Sequence, residues 1–266
     1  MLLLDTAIVQ QLVSLVPAMP RDYVSDPTQG YPGPMSATRH NGTLTVFRRV
    51  VFVASLGGMK ALTAVVAGLP ADFSVPIVVA QHRRRTRNSG DVLAQILARQ
   101  TRLPVRVAEP RAPADKQGVT VVPAGTTATI GSDGVWSLIE KTSTVGIGDD
   151  VLTSSARQVP TIAVILTGRL ADGAEGCRAV KRHGGRVLVQ DPLTAEASSM
   201  PANAIATGCA DFVLPLDCLA AALLALTTTP AGTRLLTPPL APWANLPARP
   251  RAQNGHYLHD EDGYPL

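Results

Sequence analysis

A serine, a histidine and an aspartate in this chain each follow an apolar run. Ser55 closes Val50-Val51-Phe52-Val53-Ala54, His82 comes directly after Ile77-Val78-Val79-Ala80-Gln81, and Asp172 lies in the loop after Ile162-Ala163-Val164-Ile165-Leu166. A hydroxyl is a weak nucleophile until a neighbouring base takes its proton. An imidazole does this well when a carboxylate fixes its tautomer and stabilises the imidazolium. Each residue also has a plain reading. Ser55 suits a turn, His82 suits a surface, and Asp172 before Gly173 suits a helix N-cap. Only a fold that gathers strand ends brings the three together.

The elements that would do so are legible. The runs Arg49–Ala54, Ile77–Ala80, Val105–Val107, Val119–Val122, Ile162–Leu166, Arg186–Val189 and Phe212–Leu214 read as strands. Helical spacing covers Met59–Ala67, Asp91–Arg99, Asp149–Ala156, Ala174–His183, Pro201–Ala206 and Leu216–Leu226. This alternation predicts an α/β fold, a doubly wound and mostly parallel sheet with helices on both faces. In such sheets ligands sit at the carboxyl ends of the strands. Gly131-Ser132-Asp133-Gly134 between Val119–Ile130 and Val135–Ile139 predicts a local hairpin, read as an antiparallel edge of that sheet. The turn Leu56-Gly57-Gly58 after Ser55 starts a helix whose free N–H groups suit a developing oxyanion.

Three segments divide the 266 residues. Residues 1–45 form a poorly determined leader broken by Pro17, Pro20, Pro27, Pro32 and Pro34. Residues 46–226 form the catalytic unit. Residues 227–266 are a Pro-rich tail expected to be disordered or extended. Aromatics make up only 4%, so the core must rest on Val, Ile, Leu and Ala.

The net charge of +4 is a mild excess and predicts no nucleic-acid partner, which needs a concentrated basic face. Cys177, Cys209 and Cys218 match neither a disulfide framework nor a zinc site and read as idle thiols. No apolar run is long enough to span a bilayer, and the N-terminus lacks a basic signal region, so no membrane insertion and a cytoplasmic location are expected. The dinucleotide spacing G-x-G-x-x-G is absent after the first strand. The hydrolase elbow G-x-S-x-G fails because Val53 stands at its first glycine. Arg83, Arg84, Arg85 and Arg87 read as a basic rim able to draw in an acidic protein segment. His40, His183, His256 and His259 show no partner pattern.

With these residues in view, the segment from about 50 to 226 resembles the catalytic domain of the CheB-type chemotaxis protein-glutamate methylesterases. Val53-Ala54-Ser55-Leu56-Gly57-Gly58 stands where that family has Gly-Ala-Ser-Thr-Gly-Gly. Gln81-His82-Arg83-Arg84 stands for Gln-His-Met-Pro, and the stretch from Val164 to Gly173 for Val-Ile-Leu-Thr-Gly-Met-Gly-x-Asp-Gly. Gln190-Asp191-Pro192-Leu193-Thr194-Ala195, then Met200-Pro201, match a later signature.

The resemblance implies hydrolysis of glutamate methyl esters, and possibly glutamine deamidation, on receptor cytoplasmic helices. It makes Ser55 the nucleophile, His82 the base and Asp172 the orienting acid, with no cofactor. Leu56, Gly57, Arg83 and Arg169 are the expected substrate-binding residues. It also implies that residues 1–45 are too short for the receiver domain such enzymes carry. The loop after Lys141 reads as shortened. Leu56 replaces a threonine whose hydroxyl positions the histidine in the family, and Arg169-Leu170 replaces Met-Gly. These departures motivate the alternative, a weakened or silent relative that binds a receptor or another partner.

Overall fold

The computed structural model describes residues 38–40, 43–45, 47–83, 91–140 and 146–228. Its centre is a seven-stranded sheet in the order β11-β10-β9-β3-β4-β6-β5. The strands are β3 (Arg49–Ala54), β4 (Ile77–Gln81), β5 (Val105–Val107), β6 (Val119–Val121), β9 (Thr161–Ile165), β10 (Arg186–Gln190) and β11 (Phe212–Leu214). Every pairing in it is parallel. Strand β3 lies between β4 and β9, and the chain order reverses there, which opens a crevice at the carboxyl ends.

Burial explains the apolar runs. All six residues of β3 are buried, and alternate side chains serve opposite layers. Val50 and Phe52 face one core, with Leu62 and Val65 of α1 (Gly58–Ala67), Leu93 and Leu97 of α2 (Val92–Gln100), and Leu219 and Leu223 of α6 (Leu219–Thr228). Val51 and Val53 face the other. There they meet Val151 and Leu152 of α3 (Ile147–Gln158), Cys177 and Val180 of α4 (Ala174–Arg182), and Met200 and Ala204 of α5 (Ser199–Ala206).

The hairpin departs from its expected position. Strands β7 (Thr126–Ile130) and β8 (Trp136–Glu140) pair antiparallel, but as a separate two-stranded sheet. The run expected to continue from Val119 to Ile130 is interrupted at Pro123, which has no N–H for a ladder, and at Gly125, with φ +70°. The hairpin instead lays Ala128, Ile130 and Trp136 onto the α3–α4 core. Strands β1 (Thr38–His40) and β2 (Thr43–Thr45) form another antiparallel pair inside the segment read as irregular leader. Helix α6 runs to Thr228, two residues past the expected boundary at 226. The rest of the leader and tail, Arg84, Arg85, Arg87 and the 141–145 loop lie outside the described residues.

One loop carries strain. Leu170 has φ +68°, left-handed backbone that costs a non-glycine roughly 1–2 kcal/mol. Its side chain is exposed and gains no burial in exchange. Leu170→Gly removes that cost while adding about 0.4–1 kcal/mol of unfolded-state entropy. Urea unfolding should show a net gain of up to about 1 kcal/mol, whereas a loss would mean the Leu170 side chain has contacts that stabilise the loop.

Candidate active site

Ser55 leaves β3 at the centre of the sheet. Its N–H donates to Thr167 O at 3.0 Å, and its carbonyl accepts from Gly58 N at 2.9 Å and from Gln81 Nε2 at 3.2 Å. The turn is thus tied to β9's exit on one side and to β4 on the other. Thr167 strengthens the tie: its hydroxyl donates to Leu56 O at 3.0 Å and accepts from Ala197 N at 2.8 Å, while its N–H donates to Gln190 Oε1 at 2.9 Å. The N–H groups of Leu56 and Gly57 have no acceptor among the described residues.

His82 follows β4, and its backbone N–H donates to Ala54 O at 3.0 Å. Its Nε2 lies 2.7 Å from Asp172 Oδ2, with side-chain exposures of 15% and 2% respectively. The two groups are within ion-pair distance, but Nε2 does not meet the geometry of a hydrogen bond.

Asp172 does not cap its own helix. Gly173 is the N-cap residue of α4, and no side chain caps that helix. The Asp172 carboxylate instead takes two backbone N–H groups at the start of α3, Gly148 N at 2.8 Å and Asp149 N at 3.2 Å. A helix N-terminus suits a carboxylate because its N–H groups lack intrahelical partners. Burial pushes the Asp172 carboxyl up, but the imidazole and these two N–H groups outweigh it and hold the group below its usual range. The approach requires glycine at 148, where a Cβ would come 2.4 Å from Val53 Cγ1 and 2.9 Å from Asp172 Oδ2. Asp149, in the first turn of α3, in turn accepts from Gly176 N in α4 at 2.7 Å, so a carboxylate at the start of each helix takes N–H groups of the other.

Ser55, Leu56, Gly57, Gln81 and His82 line one open cavity of about 630 Å³, with Met59, Lys60 and Glu196 on its remaining wall. Two expected contacts are not closed. No hydrogen bond joins the Ser55 hydroxyl to the imidazole among the described residues. Arg83 does not line the cavity: its guanidinium bonds Asp91, Val122 O at 2.8 Å and Gln81 O at 3.5 Å. It therefore ties the end of β4 to the N-cap of α2 and to the end of β6. Arg169 is exposed with no ion pair among the described residues.

Cys177 and Cys209 are buried, and burial pushes the Cys209 thiol up to about 11. Among the described residues, no group of three or more His, Cys, Asp or Glu could hold a metal ion, and no helix is long and apolar enough to cross a membrane.

Three positioning residues, Gln81, Thr167 and Gln190, stand in the motifs without an assigned role, although each sits at or just past a strand end. A fourth, Gly148, opens a helix and has no strand end beside it.

A doubly wound parallel sheet that brings a turn serine and a histidine to one carboxyl-end cavity, with a buried carboxylate behind the histidine, has the parts that serine-type acyl transfer requires. The family model described as CheB methylesterase matches residues 50–223. The chain is 40% identical over 183 residues to protein-glutamate methylesterase/protein-glutamine glutaminase 2 of Anaeromyxobacter dehalogenans, covering 67% of this chain and 53% of that protein. It is 34% identical over 179 residues to a putative protein-glutamate methylesterase/protein-glutamine glutaminase of Leptospira interrogans, covering 65% of this chain and 92% of that protein. The crystal structure of the Thermotoga maritima CheB methylesterase catalytic domain aligns with a TM-score of 0.61 and 31% identity, over 68% of this chain and 99% of that one. The chain belongs to the CheB methylesterase family. It spans about half the length of the Anaeromyxobacter relative and nearly all of the Leptospira one.

Proposed function

We propose that this chain hydrolyses glutamate γ-methyl esters on the cytoplasmic helices of chemotaxis receptors, with residues 46–226 as the catalytic unit. The observation that carries this reading is that His82, whose Nε2 lies 2.7 Å from the buried Asp172 Oδ2, lines the same cavity as Ser55. Asp172 holds Nε2, so Nδ1 is the ring nitrogen left to take the serine proton. Unliganded sites commonly hold the serine–imidazole bond long and close it when substrate arrives.

Ser55 Oγ attacks the ester carbonyl carbon while His82 accepts its proton. The oxyanion meets the open N–H groups of Leu56 and Gly57 at the start of α1. The imidazolium returns its proton to the leaving methoxide, and methanol departs. Water, deprotonated by His82, then releases the acyl group as glutamate and restores Ser55. A glutamine side chain enters the same sequence with ammonia as leaving group, which supports a second, glutaminase activity.

The direct experiment is methanol release from a methylated receptor cytoplasmic fragment. Release above the protein-free rate is expected, and its absence contradicts the esterase reading. A partner-binding relative without turnover is the second reading, favoured by the open Ser55–His82 contact and by Leu56, whose side chain is 45% exposed in the cavity. Retention of a receptor fragment without methanol release would select it. Leu56→Thr restores the hydroxyl that the family resemblance assigns to positioning the histidine, worth about 0.5–1.5 kcal/mol if it reaches His82. The esterase reading therefore expects kcat to rise by up to about tenfold in the methanol assay, and an unchanged kcat would show that residue 56 does not position His82.

A further inference from the structure

Two formal charges stand on the wall of the active-site cavity that the reaction itself does not use. Lys60 lies in the first turn of α1 and Glu196 in the loop before α5, and both are exposed. No ion pair joins them to each other or to a third group among the described residues. Opposite charges on one cavity wall ordinarily lower their energy by pairing, and these two remain available to an incoming molecule.

Glu196 is also held in place. A Cβ added at Gly57 would come 2.7 Å from Glu196 Cβ and 2.8 Å from its Oε2, so the carboxylate lies against the turn that follows Ser55. The two hydrogen bonds of the next residue, Gly168 N to Ala197 O at 2.9 Å and Ala197 N to Thr167 Oγ1 at 2.8 Å, anchor its loop to the end of β9. A neutral ester is indifferent to either charge. The side chains that flank it on a protein segment are not.

We propose that Lys60 and Glu196 form a charge pair that selects the substrate segment: the reacting side chain is taken from a helix carrying an acidic residue on one flank and a basic residue on the other. The acidic flank meets Lys60 and the basic flank meets Glu196, which fixes the direction in which the segment lies across the cavity. The proposal rests on the methylesterase reading for the identity of the reacting group, but not for the direction of charge preference.

The test uses two helical peptides, each with one glutamate γ-methyl ester. One has glutamate four residues before it and lysine four residues after, and the other has the two exchanged. Affinity is measured on the chain carrying Ser55→Ala, with and without the double reversal Lys60→Glu and Glu196→Lys. Both substituted side chains are exposed, so folding is retained and is checked by thermal unfolding. The unreversed chain should prefer one peptide by about threefold to tenfold at low salt, and the preference should shrink in 0.5 M salt. The double reversal should invert it. Equal affinities on the unreversed chain, an uninverted preference, or no binding of either peptide would overturn the proposal. Methanol release by the wild type is scored separately. Turnover without charge preference defeats the charge pair alone, while an inverting preference without turnover defeats the esterase reading alone.

Discussion

Ser55→Ala should abolish methanol release, lowering kcat by at least about 10⁴-fold, with fold and stability almost unchanged. The magnitude follows from the serine's role. Without Oγ no acyl-enzyme forms, and the His82–Asp172 pair has no proton to take from it. What survives is catalysis by binding and by the N–H groups of Leu56 and Gly57, and in serine hydrolases that remnant is only about 10³–10⁴-fold over water. Structurally the change is mild. The Ser55 contacts that hold the turn are all backbone: its N–H to Thr167 O, and its carbonyl from Gly58 N and Gln81 Nε2. Deleting Oγ breaks none of them. A variant that unfolds like wild type but retains more than a few per cent of the rate would remove Ser55 from the chemistry.

Asp172→Asn should be nearly as damaging to the rate, by about 10⁴-fold, and unlike the serine variant it should also weaken the fold. Asp172 uses both oxygens, Oδ2 toward Gly148 N and His82 Nε2, and Oδ1 toward Asp149 N. An asparagine has one acceptor oxygen. Whichever way its amide turns, an NH₂ group faces either an imidazole Nε2–H or an N–H of α3. With the NH₂ turned toward the ring, the imidazole is driven to the tautomer with its proton on Nδ1, which cannot accept from Ser55. The unmatched buried donor costs about 1–3 kcal/mol of stability.

The pH dependence separates this carboxylate from its neighbours. Its folded pKa is depressed, because the imidazole and the two N–H groups outweigh burial. Ionised Asp172 therefore stabilises the fold at pH values above the unfolded carboxyl value of about 3.9, and that contribution disappears as pH falls through the folded value. Urea unfolding of the wild type should lose stability on acidification below about pH 4, and the Asn variant should lack that portion of the loss. Parallel curves for the two proteins would mean that Asp172 is not held ionised by these partners.

The central strands were legible because burial on both faces demands unbroken apolar runs. Arg49–Ala54, buried throughout, has the expected ends to the residue, and so do the two edge strands Val105–Val107 and Phe212–Leu214, which are only partly buried. What the strands do next was less legible. Val119–Val122 reads as a strand of the sheet and Val119–Ile130 as strand-like into the hairpin; Pro123 and Gly125 divide the two, and the second part pairs away from the sheet onto α3. Such a departure depends on which core has room, which local pattern does not reveal. The short β1–β2 pair flanks Asn41-Gly42, a dipeptide favoured in tight hairpin turns, in a segment otherwise broken up by prolines and glycines.

The candidate site divides in the same way. Strand-end position identified Ser55, His82 and Asp172 as residues that a parallel sheet would gather, and His82 and Asp172 do meet. Asp172 could not be distinguished from a cap of its own helix, because the partners that decide the matter, Gly148 and Asp149, belong to the first turn of another helix, α3. Arg83 looked like part of a basic rim, yet Asp91 and the Val122 carbonyl turn it inward. A long arginine goes where its partners are, and one of those is supplied by a strand about forty residues away. Glu196 drew no notice because nothing in its sequence neighbourhood reveals the Gly57 turn beneath it.

The central claim is that the hydroxyl of Ser55, activated by His82, attacks an acyl carbon. Titration with a serine-directed phosphonate, followed by peptide mass mapping, addresses that step without requiring the natural substrate. One adduct per chain is expected, on Ser55, with methanol release falling in proportion to its formation. An adduct on another residue, or esterase activity that persists after Ser55 is fully modified, would contradict it.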